Sequence, residues 1–359
     1  MLREMKLGST VINDNSDCFV IAEVGHNHQG SVETCKEIFK AAQANGAHAV
    51  KLQKRDNKSL YTKAYYDMAY NSENAYAPTY GLHREALEFG MAEYRDLKQY
   101  AEELGLIFFS TAFDFNSADF LAELDVPCYK IASGDLTNTP LLRHVASIGK
   151  PVIISTGAGA LEDVIRAYDA IMQINPQLAI LQCTASYPSQ FEEMGLNVIS
   201  TYREAFPDAV VGLSSHDNGI AMAVAAYVLG GRIVEKHFTL NRTMKGTDHA
   251  FSLEPLGLSK MVRDLKRVRV ALGDGQKTLL ESEKPALAKM GKKIVAAKAF
   301  PAGHILQEGD LAFKSPGDGL PPYFADQLYG KALKVALTED DALSLEMLAA
   351  TTSEAVKAN

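Results

Sequence analysis

Short apolar segments that end in a polar or ionisable residue recur eight times along the chain. The segments are Phe19 to Glu23, Ala49 to Gln53, Ile107 to Thr111, Cys128 to Ser133, Val152 to Thr156, Ala179 to Thr184, Val210 to His216 and Ile233 to His237. Nearly continuous apolar character is typical of strands buried on both faces of a parallel sheet. Stretches that can hold a helix separate the segments, which indicates βαβ units. The pattern therefore predicts an α/β fold, a (β/α)8 TIM barrel.

Two of the intervening stretches carry further information. Ser31 is placed to cap the first helix, and Gly46 is placed to end it. The stretch from Gln53 to Leu104 is about twice as long as the others and is rich in tyrosine. Barrel enzymes often cover their substrates with insertions of this kind. A solvated surface loop with scattered tyrosines is the alternative.

The chain is longer than the roughly 250 residues of a typical barrel, so it must hold a second domain. We expect the barrel domain at residues 1–275, a Gly-, Lys- and Glu-rich linker at 276–291, and a small β-rich domain at 292–353. Strand-like segments in that small domain are Lys293 to Ala297, Ala312 to Lys314 and Lys334 to Leu337.

Composition excludes several classes of function. A formal net charge of −8 argues against nucleic acid as a partner, because phosphate backbones require a basic stripe. The segment from Met1 to Thr10 has no apolar core typical of a signal peptide, and no apolar run reaches the length of a membrane span. Four cysteines without paired spacing indicate reduced thiols. We therefore expect a cytoplasmic enzyme.

Two histidines, His216 and His237, end consecutive predicted strands. Because the strand ends of a barrel meet at one mouth, both imidazoles should be neighbours there. Such a pair with open coordination positions suits a divalent cation such as Mn²⁺, Zn²⁺ or Fe²⁺. Asp217, Glu235, Asp248 and His249 are near in sequence. We interpret the pair as a candidate metal site.

Two lysines, Lys51 and Lys130, lie inside otherwise apolar strands. Lysine is rarely buried without a partner, so each should point toward an anion at the mouth. Hydroxyl donors at other strand ends complete a phosphate or carboxylate cradle, and they are Thr111, Ser133, Ser155 and Ser214. Two alternatives stay open: Lys130 as the Schiff-base lysine of an aldolase, and ion pairs of the lysines with Glu23 or Glu235.

Several motifs together resemble the sialic acid synthase family, the phosphoenolpyruvate-dependent nonulosonate synthases. The resemblance covers nearly the whole chain and rests on Glu23-Val24-Gly25-His26-Asn27-His28, Lys51-Leu52-Gln53, Lys130-Ile131-Ala132-Ser133-Gly134-Asp135, Gly212-Leu213-Ser214-Ser215-His216, Glu235-Lys236-His237 and Gly246-Thr247-Asp248-His249. It implies condensation of phosphoenolpyruvate with an open-chain N-acyl hexosamine, which gives a nine-carbon 2-keto acid and inorganic phosphate. It also implies that residues 292–353 form an antifreeze-like (SAF) domain and that the chain is a domain-swapped homodimer.

Site roles follow from the resemblance. His216 and His237 would hold Mn²⁺, with Mg²⁺ or Co²⁺ as alternatives, as a Lewis acid on the sugar aldehyde. Phosphoenolpyruvate would bind Lys51, Thr111, Lys130, Ser133, Ser155 and Ser214. Glu23 and Asp135 are the acid/base candidates. Gln53, Tyr187 and Asp248 would contact the sugar, and Lys314 is a further candidate, in Lys314-Ser315-Pro316-Gly317, where many bacterial members carry an Arg-Pro-Gly that clamps the acyl group.

The acceptor sugar stays open at this point. Some motifs look more like the animal-type synthases that use N-acetylmannosamine 6-phosphate, and the cations Lys54, Arg55, His83 and Arg84 could bind that second phosphate or be solvated surface charges. Unphosphorylated N-acetylmannosamine, and the acceptors of legionaminate, pseudaminate or deaminated (KDN-type) synthases, are alternatives. A lysine aldolase and a non-catalytic carbohydrate- or ice-binding protein are the other classes of function considered.

Overall fold

The computed structural model describes residues 3–349, which divide into two compact units at Gly273 and Asp274. The first unit is a closed barrel of parallel strands in the order β10-β3-β4-β5-β6-β7-β8-β9. Its strands are β3 (Phe19–Gly25), β4 (Ala49–Lys54), β5 (Ile107–Ala112), β6 (Tyr129–Ile131), β7 (Val152–Ser155), β8 (Leu178–Cys183), β9 (Val210–Ser215) and β10 (Ile233–His237). The predicted (β/α)8 barrel is confirmed.

An antiparallel hairpin precedes the barrel and was not predicted. It consists of β1 (Glu4–Leu7) and β2 (Thr10–Asn13). Met5 and Leu7 of β1 are fully buried in the core of the barrel unit, whereas the residues between and before them are exposed. The hairpin therefore extends the hydrophobic core of this unit.

Helices alternate with the barrel strands. They are α1 (Val32–Ala44), α2 (Asn57–Leu60), α3 (Lys63–Tyr66), α4 (Tyr80–Glu85), α5 (Met91–Glu103), α6 (Phe115–Glu123), α7 (Thr139–Ser147), α8 (Leu161–Met172), α9 (Val198–Ala205), α10 (Ala221–Val228) and α11 (Pro255–Ala271). The side chain of Ser31 accepts a hydrogen bond from the Thr34 amide and caps α1, and Gly46 follows its end with φ of 87°. Both predicted boundaries of this helix are confirmed. None of the helices among residues 3–349 has the length and apolarity to cross a membrane.

The second unit is a small domain with its own apolar core. It contains the strand pair β11 (Lys293–Ala296) and β12 (Leu311–Lys314) and the short helices α12 (Lys284–Met290) and α13 (Ala325–Leu328). Residues 276–291, predicted as a linker, hold α12 and belong to this unit. The predicted strand Lys334 to Leu337 is wrong, because only Leu337 of this segment forms an isolated bridge, to Phe300. Residues 350–353 of the predicted domain lie outside the described residues.

A buried ion pair joins the ends of two barrel strands. The ammonium group of Lys236, in β10, lies 2.8 Å from Oδ1 of Asp217, which follows β9, and it also donates a hydrogen bond of 2.7 Å to the Asp217 carbonyl. Both side chains are almost completely inaccessible to water. Removing one partner of such a pair leaves an uncompensated charge in the core.

Replacement of Asp217 by alanine should therefore lower the free energy of unfolding by about 3 kcal/mol. Chemical denaturation of both proteins measures this difference. The exposed pair of Arg95 and Glu123 supplies a matched control, because Glu123→Ala should leave the stability essentially unchanged. Equal effects of the two substitutions would contradict the stabilising role of the buried pair.

Candidate active site

A cavity of about 740 Å³ opens at the carboxyl ends of the barrel strands. Its lining includes most of the residues proposed from the sequence, namely Glu23, Lys51, Gln53, Thr111, Lys130, Ser133, Ser155, Tyr187, Ser214, His216, His237 and Asp248. Parallel strands deliver their last residues to the same rim, which explains why positions far apart in sequence meet here. The cavity is thus the candidate active site.

Lys51 occupies the floor of the cavity on β4. Its ammonium group lies 2.7 Å from Oε2 of Glu23 and 3.6 Å from Oε1 of Glu235, and it donates a hydrogen bond of 2.7 Å to Thr111. Its side chain is only 2% exposed. The predicted alternative of an ion pair with Glu23 or Glu235 is therefore present, and it coexists with a position on the cavity wall.

Lys130 is the second buried lysine of the cavity, on β6. Its ammonium group donates a hydrogen bond of 2.6 Å to the hydroxyl of Ser155 and lies 3.7 Å from Oε1 of Glu235. Burial lowers the pKa of Lys130, and Lys51 acts in the same direction, while Glu235 opposes the change. Lys130 and Lys51 thus place two cations beside one carboxylate.

Glu235 links the two lysines, although it was not among the residues predicted to act in the site. Burial alone would raise its pKa, but Lys130 and Lys51 together outweigh that effect and lower it. Its Oε2 atom is buried and accepts no hydrogen bond. The carboxylate therefore stays ionised and partly compensates the positive charge when no substrate anion is bound.

The pKa of Glu23 is shifted in the opposite direction to that of Glu235. Burial raises its pKa to about 7, Lys51 opposes the increase and Glu235 adds to it. The side-chain amide of Gln53 donates a hydrogen bond of 2.7 Å to Oε1 of Glu23 and fixes its orientation. Two carboxyl groups whose pKa values are driven apart are a common basis for acid and base roles in one site. Glu23 is the member that can exchange a proton near neutral pH.

Asp135 does not join this group. It ends a 3-10 turn, Ser133–Asp135, just beyond Ser133 and Gly134, which do line the cavity. Its carboxylate instead accepts a hydrogen bond of 3.1 Å from Asn138. Asp135 is thus not part of the cavity wall in this structure, and its acid/base role stays a prediction.

The two histidines at the rim are neighbours, as the strand order requires. The centroids of the His216 and His237 rings are 5.4 Å apart. Nδ1 of His216 lies 2.9 Å from the Thr184 carbonyl, so this nitrogen carries the proton and Nε2 keeps its lone pair. Nδ1 of His237 is buried without a hydrogen-bond partner, and it lies 3.8 Å from Oδ2 of Asp248.

The donor set of these two rings fits a divalent cation. Burial lowers the pKa of His216 to about 4, with a further contribution from His237, and burial also lowers the pKa of His237. Both rings are therefore neutral near pH 7, as metal ligands must be. Within residues 3–349 no preformed group of three or more acidic, histidine or cysteine ligands occurs, so water or substrate would have to complete the coordination.

The other residues predicted to bind the sugar lie in both units of the protein. Tyr187 packs against His216 with ring centroids 4.1 Å apart and the rings tilted by 40°, and Asp248 lies beside His237. Both residues line the cavity. Lys314 belongs to the second unit, on β12, where it forms an ion pair with Asp340. Its contact with a sugar stays a prediction.

The long insertion after β4 supplies one wall of the cavity, as predicted for a substrate-covering segment. Tyr70, Asn74, Tyr80 and Arg84 of this insertion line the cavity, together with Arg55 directly after β4. The remaining two of the four cations considered from the sequence are held elsewhere. Lys54 donates hydrogen bonds to Glu88 and Phe89, and His83 accepts one from the Tyr76 amide.

Taken together, the closed barrel and the polar cavity at its carboxyl-terminal rim define an enzyme of the TIM-barrel class. More specifically, the chain belongs to the NeuB family, which matches residues 38–277, and residues 293–349 match the SAF domain.

Individual relatives cover almost the whole chain. N-acetylneuraminate-9-phosphate synthase of Homo sapiens is 40% identical over 332 residues, which are 92% of this chain and 92% of that protein. N,N'-diacetyllegionaminic acid synthase of Legionella pneumophila is 33% identical over 339 residues, which are 93% of this chain and 95% of that protein. The crystal structure of N-acetylneuraminic acid (sialic acid) synthetase from Leptospira borgpetersenii, in complex with citrate, is 31% identical with a TM-score of 0.68 and covers 80% of this chain and 95% of that chain.

Proposed function

We propose that this protein condenses phosphoenolpyruvate with N-acetylmannosamine 6-phosphate to give N-acetylneuraminate 9-phosphate and inorganic phosphate. The single observation that carries the proposal is that two buried lysines, Lys51 and Lys130, line the same cavity as two arginines, Arg55 and Arg84. Four cations around one cavity suit two anionic groups on two substrates. The name of the human relative, a 9-phosphate synthase, supports the same acceptor.

Phosphoenolpyruvate would occupy the lysine end of the cavity. Its carboxylate and phosphate would take over the ammonium hydrogens of Lys51 and Lys130 that now face Glu235 and the strand-end hydroxyls. Further hydroxyl donors are available from Ser133 and Ser214. Charge-assisted hydrogen bonds of this kind hold an anion more firmly than neutral ones.

Glu23 is the acid/base group in this mechanism. The enol carbon, C3, attacks the sugar aldehyde, whose oxygen takes a proton from solvent and becomes a hydroxyl group. The electrophilic C2 that results adds water, and phosphate then departs with the bridging oxygen and takes up the proton of the C2 hydroxyl as the ketone forms. Glu23, with its pKa near 7 and its orientation fixed by Gln53, would accept the proton of that water. Lys51, at 2.7 Å, would stabilise the carboxylate between turnovers.

His216 and His237 would hold the divalent cation, with Mn²⁺ proposed and Mg²⁺ or Co²⁺ as alternatives. Such an ion supplies Lewis-acid polarisation of the sugar aldehyde. The Thr184 carbonyl keeps His216 in the tautomer that leaves Nε2 available. Asp248, beside His237, would orient that ring or accept a hydrogen bond from the sugar.

Arg55 and Arg84 are assigned to the acceptor phosphate. Replacement of Arg84 by methionine should therefore raise the KM for N-acetylmannosamine 6-phosphate by about tenfold to a hundredfold, because one charged hydrogen bond to the phosphate is lost. Steady-state kinetics with saturating phosphoenolpyruvate measures this value. Arg95→Met is the control, since Arg95 is exposed and pairs with Glu123 outside the cavity. An unchanged KM in the Arg84 variant would contradict the assignment.

A comparison of acceptors tests the proposed function directly. Specificity constants should be measured for N-acetylmannosamine, its 6-phosphate and mannose 6-phosphate, with the nine-carbon products identified by mass spectrometry. We expect the 6-phosphate of N-acetylmannosamine to give the highest value. A preference for an unphosphorylated or diacetylated sugar would instead indicate an acceptor closer to that of the Legionella relative.

One observation favours a second function, that of a lysine aldolase. Lys130 is buried and its pKa is lowered, as the nucleophilic lysine of a Schiff-base enzyme requires. Borohydride reduction in the presence of pyruvate would trap that adduct on Lys130. A trapped adduct together with turnover in a chelator would replace the synthase proposal.

The assembly and location are also proposals. The resemblance supports a homodimer in which the SAF domain of one chain reaches the active site of the other, and light scattering would test it against the 39.0 kDa monomer. Lys314 would then reach a sugar in the partner's site. A cytoplasmic location is supported by the four cysteines, all free and buried.

A further inference from the structure

His26 is a buried imidazole between two arginines, and the mechanism above does not use it. It follows β3 directly, and its side chain is 8% exposed. Nη1 of Arg84 lies 3.0 Å from Nδ1 of the ring, and Nη1 of Arg55 lies 3.2 Å from Nε2. Both arginines line the cavity. The ring therefore bridges the two guanidinium groups of the proposed acceptor-phosphate site.

This arrangement cannot satisfy both arginines. A guanidinium group only donates hydrogen bonds, and a neutral imidazole has one lone pair and one N–H. One arginine thus donates to the ring, while the other faces an N–H group. A protonated ring would accept no hydrogen bond from either arginine, because both of its nitrogens would then be donors. Burial, together with Arg55 and Arg84, holds the pKa of His26 well below its usual range.

Glu88 indicates which arginine is left without an acceptor. Its Oε1 atom is buried without a hydrogen-bond partner and lies 3.9 Å from Nε2 of His26. A carboxylate on that side favours the tautomer with the proton on Nε2. Nδ1 then accepts from Arg84, and the Nη1–H group of Arg55 is left facing another donor.

The other contacts of the arginines hold them at the cavity in this state. Arg55 donates a hydrogen bond of 2.7 Å to Gln53 and stacks on Phe113 at 3.8 Å from the ring centroid. Arg84 donates to the hydroxyl of Tyr80 at 3.0 Å. Neither contact supplies an acceptor for Nη1 of Arg55. An anion in the cavity would supply one.

His28, the second histidine of this segment, differs from His26. Its ring stacks on Phe89 with centroids 4.3 Å apart, and its Nδ1 accepts a hydrogen bond from the Gly30 amide. Packing and one local hydrogen bond therefore account for His28. They do not account for His26, whose ring nitrogens are both directed at cations.

We propose that His26 is a positioning residue for recognition of the acceptor phosphate: it holds Arg84 through Nδ1 and leaves the Nη1–H group of Arg55 to bind the phosphate. The inference rests on the proposed function, since it takes the 6-phosphate of the acceptor as the anion. His26 would therefore affect the selectivity between phosphorylated and unphosphorylated acceptors, because only a phosphorylated acceptor carries the group that Arg55 and Arg84 bind.

Two substitutions at this position separate the positioning role from a purely structural one. His26→Leu removes the lone pair, whereas His26→Asn keeps an acceptor oxygen close to the place of Nδ1. The measured quantity is the ratio of kcat/KM for N-acetylmannosamine 6-phosphate to kcat/KM for N-acetylmannosamine. The ratio should fall at least about tenfold in the leucine variant, as expected for loss of a charged hydrogen bond, and stay within about threefold of the original in the asparagine variant.

Binding of mannose 6-phosphate to the same full-length proteins, measured by calorimetry, gives an answer that needs no turnover. Weaker binding in the leucine variant, restored in the asparagine variant, supports the role of His26. An unchanged ratio in the leucine variant, or equal losses for both acceptors, would overturn it while leaving the synthase intact. If the unsubstituted protein itself shows no preference for the phosphorylated acceptor and no binding of mannose 6-phosphate, the proposed acceptor is wrong and the role of His26 is overturned with it.

Discussion

Replacement of Lys130 by methionine should reduce kcat/KM for phosphoenolpyruvate by about a thousandfold. The substitution removes a buried cation that would bind the substrate anion, and it leaves Glu235 with less positive charge to compensate it. Truncation of one partner of a buried charge pair between a protein and what it binds costs about 2–5 kcal/mol of binding, and each 1.4 kcal/mol corresponds to about tenfold. Steady-state kinetics with a varied phosphoenolpyruvate concentration gives the value.

Lys150 provides a matched control for this substitution. It lies just before β7, at the end of the barrel remote from the cavity, and forms an exposed ion pair with Asp125. Lys150→Met should therefore leave kcat/KM unchanged. A Lys130 variant that kept its kcat/KM for phosphoenolpyruvate within about threefold would contradict the assignment of the lysine cradle.

Replacement of Glu23 by glutamine should lower kcat by about 10²- to 10⁴-fold, which is the usual contribution of a positioned acid or base. Because the carboxylate form must accept a proton from water, kcat/KM of the unsubstituted enzyme should rise with pH through about 7, the pKa to which burial raises this group in the free protein. Glutamine cannot ionise, so the residual rate of the variant should lack this rise.

The pH profiles of kcat/KM of the two proteins, measured at low concentrations of phosphoenolpyruvate, test the role of Glu23. Glutamine retains an acceptor for Lys51 and nearly the same volume, so the fold should persist, and circular dichroism would verify this. A variant with full activity, or one with reduced activity and an unchanged pH profile, would transfer the proton-accepting role to another group.

The barrel was predictable because its strands are buried on both faces. Continuous apolar segments such as those ending in Glu23 and His237 have no other common explanation, and the observed strands end within about two residues of the predicted ones. The hairpin β1–β2 was missed because its strands are only four residues long and one face of β1 is exposed. The segment from Lys334 to Leu337 is apolar enough for a strand, but the structure pairs it only at Leu337.

The part of the site that lies at the ends of the barrel strands could be predicted from the sequence. Residues at the carboxyl ends of parallel strands must meet, so Lys51, Lys130, His216 and His237 could be grouped from the sequence alone. Asp135 lies beyond the strand end, in a 3-10 turn, so strand ends alone could not predict its position relative to the cavity. The directions of Arg55 and Arg84 depend on how the tyrosine-rich insertion packs, and no periodic pattern encodes that packing.

The role of Glu235 could be predicted from the sequence only in part. Its position between Lys51 and Lys130 depends on pairing of β10 with both β3 and β9, which closes the barrel. Sequence analysis placed it near a metal site because His237 is two residues away. Ion pairs of the lysines with Glu235 were predicted only as an alternative, and its position beside both ammonium groups follows from distances across the barrel.

The most direct test of the proposed synthase is the fate of the bridging oxygen of phosphoenolpyruvate. The substrate would carry a heavy oxygen isotope at that position and be incubated with Mn²⁺ and N-acetylmannosamine 6-phosphate, with a chelated sample as control. We expect labelled phosphate, released in proportion to the nine-carbon keto acid and absent from the chelated sample. Unlabelled phosphate, release that does not need the sugar, or no release with any acceptor would contradict the proposal.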